Sequence, residues 1–401
     1  MPPDPPPPGA DDDDLPRARG GAEGQPNDRD APAHADATPA SAQDGERDDT
    51  DGGDAAEDGD DDAENDDDTA DDDAGADDAG GDDAGGDPDD PTAAPAPGVP
   101  DGPTRAGIAA VLGAPNAGKS TLVNRLAGAK VTIVSPKPQT TRFRVRAVVV
   151  LGRAQVVLTD TPGIFRPRRR LDRAMVAAAW GGAQDADLAL LVVDARAGIN
   201  EAVEGVLAGL ARAPRRPPLW LVLNKTDLIE PGRLLPLAAA LNERLPFAET
   251  FMVSAEKGDG LDRLSARLAA AVPEGPWLFP EDELSDLPDR MLAAEVVREQ
   301  ILRQTHEEVP HHATVETESF QERADGSVRV DATIYVARAS QKAILIGDGG
   351  ARIKEIGRRA RAELAALLER RVHLFLNVKE RPGWDDDRAR LRAIGLREHL
   401  D

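Results

Sequence analysis

The sequence predicts an α/β domain, with a mostly parallel sheet covered by helices on both faces, and a smaller α+β domain behind it. An acidic tail precedes both. Three observations carry this prediction. A glycine-rich loop, Gly113-Ala114-Pro115-Asn116-Ala117-Gly118-Lys119-Ser120, stands between an apolar run and a helical run. Apolar runs of strand length then alternate with helical runs to about residue 275. Beyond a proline-rich connection the order changes to helix, strand, strand, helix, loop, helix, strand, which no longer alternates.

A chain of 401 residues is long enough for more than one domain. Its net charge of −26 is unevenly spread. Residues 1–104 hold 35 of the 74 acids and 4 of the 48 bases, which leaves 39 acids against 44 bases in the rest. The acidity therefore belongs to the tail, and the remainder is mildly basic, so the overall sign is no argument against a nucleic-acid partner. There is no cysteine, which excludes disulfides and thiolate metal sites and fits a reducing compartment. No apolar run is long enough to span a membrane, and the N-terminus lacks a signal-peptide core. A cytoplasmic protein is expected, with peripheral contact at the inner face of the cell membrane left open.

Residues 1–104 are Asp, Ala, Gly and Pro with almost no large apolar side chain. Such a segment cannot bury enough surface to offset its ordering entropy, and it repels itself. Disorder is expected there.

The first domain is placed at 105–275. Gly107–Leu112 reads as a buried strand, and Lys119–Leu126 as a helix stopped near Gly128. The loop between them fits G-x-x-x-x-G-K-[ST], the P-loop. Gly113, Asn116, Ala117 and Gly118 would turn backbone N–H groups toward phosphate oxygens at a helix N-terminus. Lys119 would reach the β- and γ-phosphates, Ser120 would ligate Mg²⁺, and Thr121 would close the phosphate cradle. Val145–Leu151 and Gln155–Thr159 read as a strand pair around Gly152, ending at Asp160-Thr161-Pro162-Gly163. A carboxylate at that strand end suits indirect Mg²⁺ coordination, and Gly163 N–H can sense the γ-phosphate. Between these motifs lies Gln139-Thr140-Thr141-Arg142, a candidate first switch. Thr141 is preferred over Thr140 as the residue that grips Mg²⁺ with the γ-phosphate present.

Leu188–Val193 is the next buried strand, followed by a helix over Glu201–Arg212. Leu219–Leu223 is another strand, ending at Asn224-Lys225-Thr226-Asp227. The Asp227 carboxylate can accept from N1–H and the 2-amino group of guanine, donors that adenine does not offer in that arrangement, so ATP would leave the site unpaired. Lys225 can lay its stem beside the base. A last strand, Thr250–Val253, leads into Ser254-Ala255-Glu256-Lys257-Gly258, whose backbone amides can approach the guanine carbonyl.

With these motifs in order, the domain resembles the translation-factor-related class of GTPases. The pairing of Gly113-Ala-Pro-Asn-Ala-Gly-Lys-Ser-Thr with Gln139-Thr-Thr-Arg looks like the Era family of bacterial ribosome-assembly GTPases. Many small GTPases carry a water-orienting Gln just after Asp-x-x-Gly; here that position is Ile164. An apolar side chain cannot polarise water, so catalysis must lean on backbone, Mg²⁺ and P-loop positioning, or on a partner. The resemblance also implies a K⁺ ion held with the help of Asn116. Arg166, Arg168, Arg169 and Arg170 follow, either to meet RNA or to form a solvated switch surface.

A linker is placed at 276–290, marked by Pro276, Pro280 and Pro288 and by acids, and expected to be extended. The second domain is placed at 291–401. Leu292–Gln304 reads as an amphipathic helix, His311–Phe320 and Val328–Val336 as a hairpin turning at Asp325-Gly326, and Val372–Val378 as a final strand. Between them, Ile346-Gly347-Asp348-Gly349-Gly350 leads into a helix carrying Arg352, Ile353 and Lys354, with Arg358, Arg359 and Arg361 beyond. Glycines let such a loop approach a sugar–phosphate backbone, and the basic helix suits phosphate contacts. Ile344, Ile346, Ile353 and Ile356 are expected to line an apolar groove for unstacked bases. This order looks like a type 2 KH domain. His306, His311 and His312 with Glu307 and Glu308 fit no standard zinc spacing. Gly383-Trp384-Asp385-Asp386-Asp387 resembles the family's Gly-Trp-acidic ending, which either shapes the RNA cleft or packs.

The resemblance covers 105–401. It implies a monomeric GTP-hydrolysing switch, binding GTP and GDP with Mg²⁺, whose KH domain holds small-subunit ribosomal RNA near its 3′ end during 30S subunit assembly. Two alternatives stand beside it: a GTPase acting on another RNA, and an RNA-binding scaffold that senses GTP without turning it over.

Overall fold

A computed structural model of the chain describes residues 102–213, 216–306 and 309–396. The tail up to residue 101, Glu307, Glu308 and residues 397–401 lie outside the described residues, and the readings made on them fall there. All the described residues belong to one compact unit.

The first domain is a six-stranded sheet in the order β2-β3-β1-β4-β5-β6. Its strands are β1 (Arg105–Leu112), β2 (Val145–Leu151), β3 (Ala154–Asp160), β4 (Leu188–Asp194), β5 (Leu219–Asn224) and β6 (Glu249–Met252). Only β2 runs antiparallel, as the hairpin partner of β3. The inner strands are apolar on both faces because helices cover both. These helices are α1 (Lys119–Ala127), α2 (Arg170–Gln184), α3 (Glu201–Arg212), α4 (Leu234–Arg244) and α5 (Leu261–Ala271). On one face Leu122, Val123, Leu264 and Leu268 pack beneath β1 and β3. On the other, Val203, Val206, Leu210, Ala238 and Leu241 pack beneath β4 and β5. The sheet order brings the ends of β1, β3, β4 and β5 together along one edge, where open α/β sheets bind ligands.

The connection runs to Pro288, since the next helix starts at Asp289, and it is strapped to the sheet rather than hanging free. The buried Gln155 side chain accepts from Leu278 N (2.8 Å) and Phe279 N (2.9 Å) and donates to Phe279 O (2.8 Å). Val148 N donates to Leu284 O, so the strap runs along the β2 edge.

The second domain begins with α6 (Asp289–Gln304), then β7 (Ala313–Glu322), β8 (Val328–Val336), α7 (Ala339–Ile346), α8 (Ala351–Leu367) and β9 (Val372–Glu380). The sheet order is β7-β8-β9, with β9 parallel to β8 and an open outer edge. Val296, Val297 and Ile301 of α6 and Ile356, Ala360 and Leu364 of α8 bury the apolar face of this sheet.

The structure decides three points here. The polar side of α6 is not solvated: Arg298, Glu299 and Gln300 are all buried, because α6 is wedged between its own sheet and the first domain. Ile356 belongs to the core rather than to a groove. Trp384 is 1% exposed and packs, with Leu391, Ile394 and Leu396, into the first domain's core beside Phe143, Leu171 and Met175. A short helix, α9 (Arg388–Ala393), lies within that returning segment. The C-terminal part of the second domain's sequence thus completes the first domain's packing.

Candidate functional site

The P-loop leaves β1 and turns into α1 at Gly118. Gly118 has φ +90°, and a Cβ there would stand 2.3 Å from Asn224 Nδ2, so the close approach of the two loops requires glycine. Asn116 is exposed with φ +62°. The result is a cleft of about 350 Å³, lined by Pro115, Asn116, Gly118 through Thr121, Ile133 through Pro136, Gln139 through Thr141, Gly163, Asp194, Arg196 and Lys225.

One corner of this cleft gathers three oxygen donors. Ser120 Oγ donates to Asp160 Oδ2 (2.7 Å), Thr141 Oγ1 lies 2.9 Å from Ser120 Oγ, and Thr141 also donates to Asp160 Oδ2 (3.1 Å). Asp160 Oδ1 is buried with no hydrogen-bond partner. A hard cation with oxygen ligands suits this set, and an orphaned carboxylate oxygen beside two hydroxyls is what such an ion would satisfy. The residues therefore fit Mg²⁺. Thr140 is not in this corner; its hydroxyl donates to Lys137 O (2.8 Å). Burial pushes the Asp160 carboxyl up, against the opposing pull of Lys119 and of the Ser120 and Thr141 hydroxyls.

Lys119 is buried, and its Nζ donates to the carbonyls of Gly113 (3.3 Å) and Ala114 (3.1 Å). Burial lowers its amine to about 8, with Asp160 pulling the other way. A cation held over two weak acceptors is ready to move to a stronger one, which a phosphate would be. Ile164 N donates to Gly113 O (3.1 Å), while the Ile164 side chain is buried among Ala114, Ala179 and other core residues, away from the cleft. Thr161 is also buried, its hydroxyl donating to Val111 O (2.7 Å), and Pro162 and Ala117 are buried beside it.

The base-reading side is tied to the P-loop by Asn224. Its Nδ2 donates to Ala117 O (2.9 Å) and its Oδ1 accepts from Ala255 N (3.0 Å). Lys225, in a left-handed conformation, donates from Nζ to Asn116 O (2.7 Å) and to Asp194 Oδ2 (2.7 Å). Asp227 sits on the same side, with Lys257 Nζ 4.0 Å away. The expectation that the amides of Ser254 and Ala255 face a base carbonyl is only partly met. Ser254 N donates to Asp259 O, and Ala255 N would first have to let go of Asn224. Asp194 and Arg196 line the cleft and were missed in the sequence, although Asp194 ends a strand at the ligand edge like Asp160 and Asn224.

On the second domain, Gly347 has φ +70°, and a Cβ there would lie 2.8 Å from Arg352 Cβ, so the loop's turn requires glycine. Asp348, Gly349, Arg352 and Lys354 are exposed. Arg352 Nη1 donates to Ile344 O (2.9 Å), which braces the loop. Ile346 and Ile353 are half-buried beside Leu374 and Leu376 of the edge strand β9, and Ile344 is exposed. Arg358 and Arg359 both pair with Glu355, so less of their charge faces outward than the sequence suggested. Phe375 is 50% exposed with the Arg329 guanidinium 4.6 Å from its ring centroid; the aromatic-poor composition had hidden it. Arg169 and Arg170 pair with Asp385 and Asp386 of the returning segment. No group of three or more potential metal-ligating side chains including histidine or acids clusters among the described residues, so His306, His311 and His312 form no such site there.

A family model described as 50S ribosome-binding GTPase matches residues 108–225, and a KH domain model matches residues 308–385. GTPase Era of Afipia carboxidovorans is 56% identical over 292 residues, spanning 73% of this chain and 94% of that one. This chain belongs to the Era family. The Era of Brucella suis biovar 1 is 54% identical over the same share of the chain and 93% of its own. Among solved structures, Era in complex with MgGDPNP and nucleotides 1506–1542 of 16S ribosomal RNA is 39% identical, with a TM-score of 0.70. It covers 73% of this chain and 99% of its own. A variant of Aquifex aeolicus Era bound to GDP.AlF4- is 38% identical over the same shares, with a TM-score of 0.69. As an Era-family member the chain is a GTPase, which sets the scaffold reading aside. Among the described residues no helix is long and apolar enough to cross a membrane.

Proposed function

We propose that this protein is a GTP-driven switch that binds small-subunit ribosomal RNA near its 3′ end and assists assembly of the 30S subunit, working as a monomer in the cytoplasm. The observation that carries this is the union, in one compact unit, of the Ser120–Thr141–Asp160 corner with a glycine loop and basic helix of KH type. The relative solved with MgGDPNP and a 16S rRNA fragment supports the RNA assignment.

The geometry supports the following roles. Backbone amides from Gly113 to Thr121 cradle the phosphates at the start of α1. Lys119 leaves the carbonyls of Gly113 and Ala114 for the β- and γ-phosphate oxygens. Ser120 and Thr141 would hold Mg²⁺, with Asp160 behind them, and the ion would offset charge on the phosphoryl oxygens. Gly163 N–H reports the γ-phosphate. Ile164, turned into the core, leaves the attacking water to be oriented by backbone groups of the two switches. Asp227 reads guanine, with Asn224 and Lys225 setting the distance between base and phosphate loops. Arg352, Lys354 and the Gly347–Gly350 backbone take the RNA phosphates, and Ile346 and Ile353 take its bases. Asn116, exposed at the mouth of the cleft, is the residue that would help hold K⁺; turnover at equal ionic strength should then be several-fold faster in KCl than in NaCl, and equal rates would remove this role.

The test is binding of the full chain to a 16S 3′-end fragment, with a non-hydrolysable GTP analogue and with GDP. Tighter binding with the analogue is expected, falling at least about tenfold in Gly347→Asp/Gly350→Asp, where two carboxylates face the phosphates. Equal affinity in both nucleotide states would break the proposed coupling.

A further inference from the structure

The first switch is held by the second domain on both sides of Thr141. Before it, the carbonyl of Thr140 accepts from Arg298 Nη2, on α6. After it, Arg142 is buried, with Nη1 donating to Ala313 O of β7 (2.9 Å) and its guanidinium 5.5 Å from the Trp384 ring centroid. Farther up the loop, the fully buried Glu299 carboxylate accepts from Val134 N (3.1 Å) and pairs with Lys130. The peptide between Thr140 and Thr141 is thus gripped by α6 on one side, while the Thr141 hydroxyl points to Ser120 and Asp160 on the other.

From this arrangement we infer that Arg298, a residue of the RNA-binding domain, is a positioning residue for Thr141 and so for GTP hydrolysis. A purely local role explains the geometry poorly. Arg298 pairs with Glu295 one turn away on the same helix, and such a pair needs no burial. Yet the Arg298 side chain is 2% exposed, and its Nη1 has no hydrogen-bond partner. Leaving a buried donor unpaired is costly. A buried guanidinium that reaches the Thr140 carbonyl while one of its own donors stays unpaired braces the switch rather than its own helix. The GTPase site is therefore completed by the second domain of the same chain, and a shift of α6 reaches Thr141 through the Arg298–Thr140 hydrogen bond.

This rests on reading Ser120, Thr141 and Asp160 as the metal corner, and the experiment separates the two. In the full chain, Arg298→Met, Arg298→Lys, Thr141→Ala and Arg298→Met/Thr141→Ala are compared. GTP turnover and GDP affinity are measured, together with hydrogen exchange over residues 133–141 with a non-hydrolysable GTP analogue bound. Arg298→Met should lower kcat about tenfold or more and speed exchange in the switch, with GDP affinity changed less than about twofold. Arg298→Lys should recover part of the loss. The double variant should be no slower than Thr141→Ala, because both act through one hydroxyl. Unchanged kcat in Arg298→Met, full additivity with Thr141→Ala, or loss of GDP binding in both Arg298 variants would overturn the inference. If Thr141→Ala turns over like the wild type, the metal-corner reading falls and takes this one with it; a slow Thr141→Ala beside an unaffected Arg298→Met removes this one alone.

Discussion

Asp227→Asn is expected to cost this protein between about a hundredfold and ten-thousandfold in GTP affinity, and to make xanthosine triphosphate the better ligand. The reason is a reversal of hydrogen-bond polarity. An ionised carboxylate accepts from both guanine donors, and each charge-assisted bond contributes about 1.5–3 kcal/mol, so two contribute about 3–6 kcal/mol, or the quoted range in binding. An amide turns one accepting oxygen into an NH₂, which meets the guanine donors with a donor of its own. Xanthine carries a carbonyl at that edge and relieves the clash. The fold should hardly respond. The nearest cation to Asp227 is Lys257, 4.0 Å away and well exposed, and such pairs contribute about 0–1 kcal/mol. Competition binding with both nucleotides checks this. Undiminished preference for GTP in the variant would mean that another group reads the base.

Lys119→Met should lower turnover on the order of a hundredfold to a thousandfold, the usual loss when one preorganised charge donor is removed from a reacting centre. Methionine keeps much of the stem that packs beneath the loop, so the loss isolates the charge. A pH signature accompanies it. In the empty protein burial holds the Lys119 amine at about 8, whereas phosphates beside it would favour the charged form and raise it. Below that value the amine is protonated in both states and affinity is independent of this group. As pH rises through about 8, only the bound form keeps the proton, so binding takes one up and affinity falls, by at most about tenfold per unit. Lys119→Met should lack that slope, which separates it from titration of the nucleotide. A wild-type affinity flat from pH 7 to 9 would contradict the assignment.

Much of this protein was legible as sequence because its chemistry is local. A P-loop is a short backbone shape, and Gly118 followed by Lys119 and Ser120 specifies that shape whatever surrounds it. The strands that carry Asp160 and Asn224 are continuous apolar runs, because parallel strands covered on both faces have no polar side to show. At α6 the sequence is less informative. Arg298 and Glu299 look like a solvated face, since charge on a helix is usually at the surface. Only the packing shows that they are buried against the first switch. Ile356 was placed in the RNA groove by its neighbours in sequence, but its position on α8 turns it into the core.

By itself, then, the sequence determined the nucleotide chemistry, the glycine loop proposed to meet RNA and the order of elements in both domains, since each depends on residues within a few positions of one another. Tertiary structure decided what joins them. Trp384 filling the first domain's core, Asp385 and Asp386 meeting Arg169 and Arg170, 216 positions apart, and Arg298 reaching the Thr140 carbonyl, 158 positions away, are contacts between distant parts of the chain. No local pattern encodes such pairs. They arise because two apolar surfaces exclude water together, and the charges caught between them must find partners wherever the fold happens to bring them.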